Sequence, residues 1–147
     1  MGKKGRQFEY KEERDRDLIE VYRTIYANAP ITAKLHQVLQ KTVASPSKRF
    51  WVSPERAFKV IGDIRSGKNL DNMNTNKRLM FFEIEKRVSE VQKTEAHNNL
   101  GLYDIICIVI EQPAPCFYMT PESAKVIIHH IKKKWYKERT KLLRFLR

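Results

Sequence analysis

The chain has 147 residues, of which 41% are hydrophobic and 10% aromatic, which excludes wholesale disorder and suits one domain with a core of its own. Its formal charge of +12 selects anionic partners, nucleic acid first and an acidic protein or membrane surface second. No apolar run approaches the roughly 18 residues needed to cross a bilayer, residues 1–10 lack the apolar core of a secretory signal, and two isolated cysteines do not make a disulfide framework, so a bacterial cytoplasm is expected.

Residues 9–28 form the first predicted helix, with Leu18, Val21, Tyr22, Ile25 and Tyr26 on one face. Asn28-Ala29-Pro30 ends it, because a residue before proline is pushed out of helical geometry. Thr32 is the expected cap of a second helix to about residue 44, with Leu35, Val38, Leu39 and Val43 as its stripe. Residues 45–52 form a loop with Pro46 and two aromatics. Ser53-Pro54-Glu55 starts a third helix: serine caps, proline suits the first turn, and glutamate favours the positive dipole end. Ala57, Val60, Ile61 and Ile64 face its core side, and Gly67 ends it.

After a polar connector, residues 75–93 form a fourth helix with Leu79, Met80, Ile84, Val88 and Val91. Glu83 and Glu85 there sit among Lys77, Arg78, Lys86 and Arg87, where ion pairing is the sufficient reading. Residues 94–101 are a polar loop. Residues 102–111 form a fifth helix, apolar nearly all round and so expected to be central. Its Cys107 is expected as a buried thiol. A long sixth helix begins at Thr120-Pro121-Glu122, with Ala124, Ile127, Ile128, Ile131 and Trp135 as its stripe and an apolar end at Leu142, Leu143, Phe145 and Leu146.

Within this all-α, six-helix expectation lies a repeat. Phe50-Trp51-Val52-Ser53-Pro54-Glu55 returns as Phe117-Tyr118-Met119-Thr120-Pro121-Glu122, at an offset of 67 residues. Upstream, Leu35, Val38, Leu39 and Val43 match Leu102, Ile105, Ile106 and Ile110. A fixed offset means one supersecondary unit used twice: helix, aromatic loop, capped helix. Two helix-turn-helix-like units in one domain are therefore expected, with residues 1–30, 31–97 and 98–147 as N-terminal helix, first half and second half. Residues 50–52 and 117–119 are the expected extended pieces, able to pair across the halves.

The charge is uneven. Residues 1–20 are neutral, whereas residues 125–147 hold nine cations against Glu138 alone, a local +8. Lys125, Lys132, Lys133, Lys134, Lys137, Lys141 and Arg144 are the expected phosphate contacts, together with His129. In the first copy, Lys48, Arg49, Arg56 and Lys59 are the counterparts. Trp51 and Tyr118 are candidates for stacking on a base, or for stapling their loops to the core. Ser53 and Thr120 each place a hydroxyl at a helix start, where phosphate can also bind. His36, His97, His129 and His130 lack metal-ligand spacing, and no glycine-rich phosphate loop is present; neither enzyme chemistry, a cofactor nor a metal is expected.

Residues 49–57 and 113–120, with the opening Phe8-Glu9-Tyr10 and the basic, tryptophan-bearing end, resemble a family of small basic uncharacterised proteins of bacterial genomes and phage-like or mobile elements. The resemblance implies a setting, at the nucleoid or in a virion, and no catalytic or binding residue. Two functions lead, with ribosome or RNA association a weaker third, because charge alone does not separate DNA from RNA. One is duplex DNA binding through the two units. The other is a phage-like structural or assembly role, in which the basic helix meets packaged DNA or an acidic protein. A continuous basic face including Arg49, Arg56 and the sixth helix favours the first; separate basic patches beside an exposed apolar strip favour the second.

Overall fold

Ser53 and Thr120 both begin helices. The Ser53 side chain accepts from the Arg56 amide at 3.2 Å, and the Thr120 hydroxyl accepts from the Ser123 amide at 3.1 Å, each followed by proline in the first turn. Ser53→Ala and Thr120→Ala should each destabilise the fold by about 1 kcal/mol in urea melts, since each strands a first-turn amide. Equal stability of wild type and variants would show that these hydroxyls do not act as caps.

The computed structural model describes residues 3–94 and 99–146, with side chains from Tyr10 onward. The chain is all-α: α1 Lys3–Asn28, α2 Leu35–Ala44, α3 Pro54–Arg65, α4 Thr75–Gln92, α5 Leu102–Ile110 and α6 Pro121–Phe145. His97 and part of the expected 94–101 loop lie outside the described residues.

Several boundaries and faces differ from the sequence expectation. Thr32 does not cap α2. Lys34 takes that place, and its amide donates to the Gln37 side chain at 3.1 Å, because a turn at residues 31–32 delays the helix. Leu35, Leu79 and Tyr26 are exposed, at 46%, 54% and 62%. The buried faces are rotated instead onto Thr42 in α2, Phe81 in α4 and Ile19 in α1. Gly67 does end α3, with φ at 80°, a conformation glycine adopts without a Cβ penalty. Cys107 is half-buried, and the partial desolvation pushes its thiol pKa up.

The helices form two three-helix cores. One joins Leu18, Ile19 and Tyr22 of α1 to Val38 and Leu39 of α2 and to Ala124 and Ile128 of α6. The other joins Val60 and Ile61 of α3 to Phe81 and Ile84 of α4 and to Ile105 and Ile106 of α5. So α5 is central to one core and not to the molecule: among the described helices it packs on α3 and α4 alone, and Ile108 on its far side is exposed. Among the described residues, α2 does not pack on α3, and α5 does not pack on α6. A helix-turn-helix needs that contact to support its second helix. Each aromatic loop instead carries its capped helix across to the other core.

The crossover is held by backbone bonds that exchange positions under the 67-residue offset. Ser47 and Ala114 form an isolated antiparallel bridge, with N–H···O distances of 3.0 and 3.1 Å. Phe50 N–H donates to Ile110 C=O at 2.9 Å, and Phe117 N–H donates to Val43 C=O at 3.0 Å. The two loops therefore do pair, but at 47 and 114, three residues before the expected stretches. Phe50 and Phe117 are each buried in the core opposite the helix that precedes them.

Candidate nucleic-acid interface

Among the described residues α1 and α4 do not touch, and the two crossed loops floor the cleft left between them. At one end the cleft opens to about 780 Å³, beside the starts of α4 and α6, at Asn74–Lys77 and Thr120–Ser123. At the other it opens to about 410 Å³, beside the start of α3 at Ser53 and Arg56. Arg14, Trp51, Lys77 and Met80 line both parts, so they form one cleft. Its cations are Lys11, Arg14, Arg49, Arg56 and Lys77, of which Arg14 is ion-paired with Asp15 at 3.2 Å, and among the described residues no aspartate or glutamate lines it. Three helix starts add their partial positive charge.

The loops owe their shape to charged anchors. Asp17, 3% exposed, accepts the Lys48 amide at 2.8 Å and the Trp51 indole N–H at 3.3 Å. Arg87, ion-paired with Glu83 at 3.0 Å, donates to the Pro113 carbonyl at 2.9 Å and lies 4.9 Å from the Phe50 ring centre. Asp17→Ala should cost about 2 kcal/mol, because it leaves two donors without their partner. The loss should appear in thermal melts together with a red-shifted Trp51 emission. An unchanged melting temperature would mean that the loop holds without this carboxylate.

Tyr118 takes a left-handed backbone conformation, φ 53°, the only non-glycine residue to do so among those described. Such a conformation costs about 1–3 kcal/mol and persists only where the surroundings enforce it. Its ring stacks near Phe50, centroids 6.2 Å apart, and lines the cleft. Burial pushes its phenol pKa up to about 12, so the hydroxyl stays protonated at any physiological pH.

The expected site residues separate into groups. Arg49, Trp51, Ser53, Arg56, Tyr118 and Thr120 all meet at the cleft. Of these, Trp51 is a staple, tied by its indole to Asp17 and covered by the Arg49 guanidinium at 5.6 Å. The hydroxyls of Ser53 and Thr120 are already engaged as caps. Lys48 points away to Glu20, 3.1 Å distant. Lys59 is exposed on α3 outside the cleft lining. Lys125, His129 and Lys132 line a different concavity, with Tyr22, Leu39 and Glu122, on the α2 side of α6. Lys132 is also held over the Tyr22 ring, at 5.0 Å.

The other face of α6 runs on from the cleft. Ser123, Val126 and Ile127 line it, and His130, Lys133, Lys134, Lys137, Lys141 and Arg144 follow at three- and four-residue steps, all exposed. Tyr10, Lys11, Arg14 and Lys77 were not singled out from the sequence. Arg14 is hidden there in a segment of zero net charge, and Lys77 in a helix of mixed charge. Lys77 in fact makes no ion pair among the described residues; Glu83 pairs with Arg87, and Glu85 with Arg65 of α3 at 3.1 Å. Among the described residues no cluster of three or more histidine, cysteine or carboxylate side chains is arranged to hold a metal, and no helix is long and apolar enough to cross a membrane. Comparison with known families, characterised proteins and solved structures finds no match for this chain.

Proposed function

We propose that the chain is a non-enzymatic nucleic-acid-binding protein that takes duplex DNA along α6 and the mouth of the cleft, in a phage or mobile-element setting. The observation that carries this reading is that two basic surfaces lie on the same side of α6, joined along one helix face by Ser123, Val126, Ile127 and His130. One is the cleft with Arg56 and Arg49, which no carboxylate lines among the described residues; the other is the exposed face of α6 from Lys133 to Arg144. A charged helix that served only solubility would balance its charges; here nine cations face one acid over residues 125–147. The contacts are to phosphate, so affinity dominates over sequence preference. Because α2 does not support α3, nor α5 α6, the binding mode is not that of a helix-turn-helix.

A second reading, assembly on an acidic partner protein in a phage-like particle, draws on a separate observation. The end of α6 exposes Tyr136, Leu142, Leu143, Phe145 and Leu146, at 57–92%. An apolar strip of this size beside cations suits a protein partner.

A salt-titrated binding assay with duplex DNA, RNA of the same length and an acidic protein separates the readings. Duplex binding in the micromolar range that weakens steeply with salt is the expected result. Binding no tighter than about 100 µM at low salt would overturn the DNA reading, and capture of the acidic protein alone would install the second.

A further inference from the structure

The cleft has chemistry that a helix face lacks: aromatic rings set among cations, inside a walled space. Two features argue for a single strand as its occupant. The first is size: parts of about 780 and 410 Å³ lie in the range that holds small ligands, and so have room for nucleotides. The second is the arrangement of its ends. The start of α6 stands at one and the start of α3 at the other, and these are the two capped helices of the repeated segment. The reciprocal bonds Phe50 to Ile110 and Phe117 to Val43 place the crossing point of the two loops between them.

We infer that the cleft between α1 and α4 binds single-stranded nucleic acid, with a phosphate subsite at each end and Tyr118 as the stacking ring between them. Lys77, with no ion pair among the described residues, faces both parts of the cleft, as does Arg14, which is paired with Asp15 at 3.2 Å; one phosphate can be held by Lys77 toward Thr120 and the next toward Ser53 and Arg56. Trp51 and Tyr118 occupy equivalent positions in the two segments, yet they are used differently. Both rings pack against a core, Tyr118 beside Phe50, but Trp51 is tied by its indole to Asp17, whereas the Tyr118 hydroxyl has no hydrogen-bond partner among the described residues and its backbone is held left-handed beside the cavity. Backbone strain of this kind gathers where a side chain must be aimed. Bases of any identity present a π-face, so the site is tolerant of sequence. This inference rests on the nucleic-acid reading above. It adds that a strand end or an unpaired stretch is taken into the cleft while the flanking duplex lies on α6.

The test uses the full chain and an oligodeoxythymidylate of about six nucleotides, too short to follow both the cleft and α6. Three variants are compared. Lys77→Gln with Arg56→Gln removes exposed cleft cations without touching the core. Tyr118→Leu removes the ring, and Lys137→Gln with Lys141→Gln changes only α6. The hexamer should bind wild type and the α6 variant alike. The Lys77/Arg56 variant should lower the salt slope by about 1.4, two contacts at about 0.7 each for a single strand. Tyr118→Leu should weaken binding about 5- to 100-fold. The inference falls if the hexamer does not bind, or if the Lys77/Arg56 variant binds it as wild type does. Duplex binding that survives either result, and that still depends on Lys137 and Lys141, leaves the proposed function standing and removes only the cleft.

Discussion

Phe50→Ala should destabilise the protein by about 3–5 kcal/mol, the cost of emptying a large buried aromatic site that backbone cannot refill. Phe50 is 1% exposed, and its ring is bounded by Arg87 on one side and Tyr118 on another. Its amide also ties the first loop to the end of α5. The substitution therefore empties the α3–α4–α5 core at the point where the crossover is seated. For a chain of this length the melting temperature should fall by about 10 °C or more. Leu79→Ala is the control. Leu79 is 54% exposed, so its loss should change stability by less than about 0.5 kcal/mol. If the two variants melted together, the position of the core described above would be wrong.

Changing Lys134, Lys137 and Lys141 together to glutamine should lower duplex DNA affinity by about two to three orders of magnitude near 0.1 M salt. Each lost phosphate contact removes about 0.9 from the slope of log affinity against log salt, so three lower it by about 2.7. All three side chains are exposed on one face of α6, so the fold should melt as wild type does. Substituting Lys125, Lys132 and His129 to glutamine instead should have a smaller effect, since they face the α2 side and Lys132 is already held by Tyr22. Equal losses from both triples would point to a diffuse electrostatic surface and not to the exposed basic face of α6. No loss from either would remove α6 from the interface.

Much of the helical plan was legible because its signals are local. Proline and glycine stop helices through steric effects on one or two residues, and Ser53 and Thr120 cap their helices through bonds to amides three residues away. Spacing placed Leu18, Val60, Ile84, Ile106 and Ile128 in the core, and all are buried. Thr32 misled because a turn just after it competes for the same backbone. Leu79 misled because adjacent apolar residues on α4 leave the facing direction open: Met80 is inward as expected, and Phe81 is inward in place of Leu79.

The site was less legible, and for a physical reason. Charge over residues 125–147 is a property of composition and is visible in the chain, so the basic end of α6 was expected. Which of its cations share a face with Arg49 and Arg56 depends on where α6 crosses. The 67-residue repeat announces two similar units, and helices adjacent in sequence usually pack together. Among the described residues α2 and α3 do not, nor do α5 and α6, because the bridge between Ser47 and Ala114 sends each capped helix to the opposite core. Such pairing lies in backbone groups that every residue carries, so no side-chain pattern encodes it. Sequence alone determined the all-α class, the starts of α3 and α6 and the basic excess. Tertiary structure alone decided that Arg14 and Lys77, 63 positions apart, line one cleft, because only the crossed loops hold α1 and α4 apart at the distance that makes it.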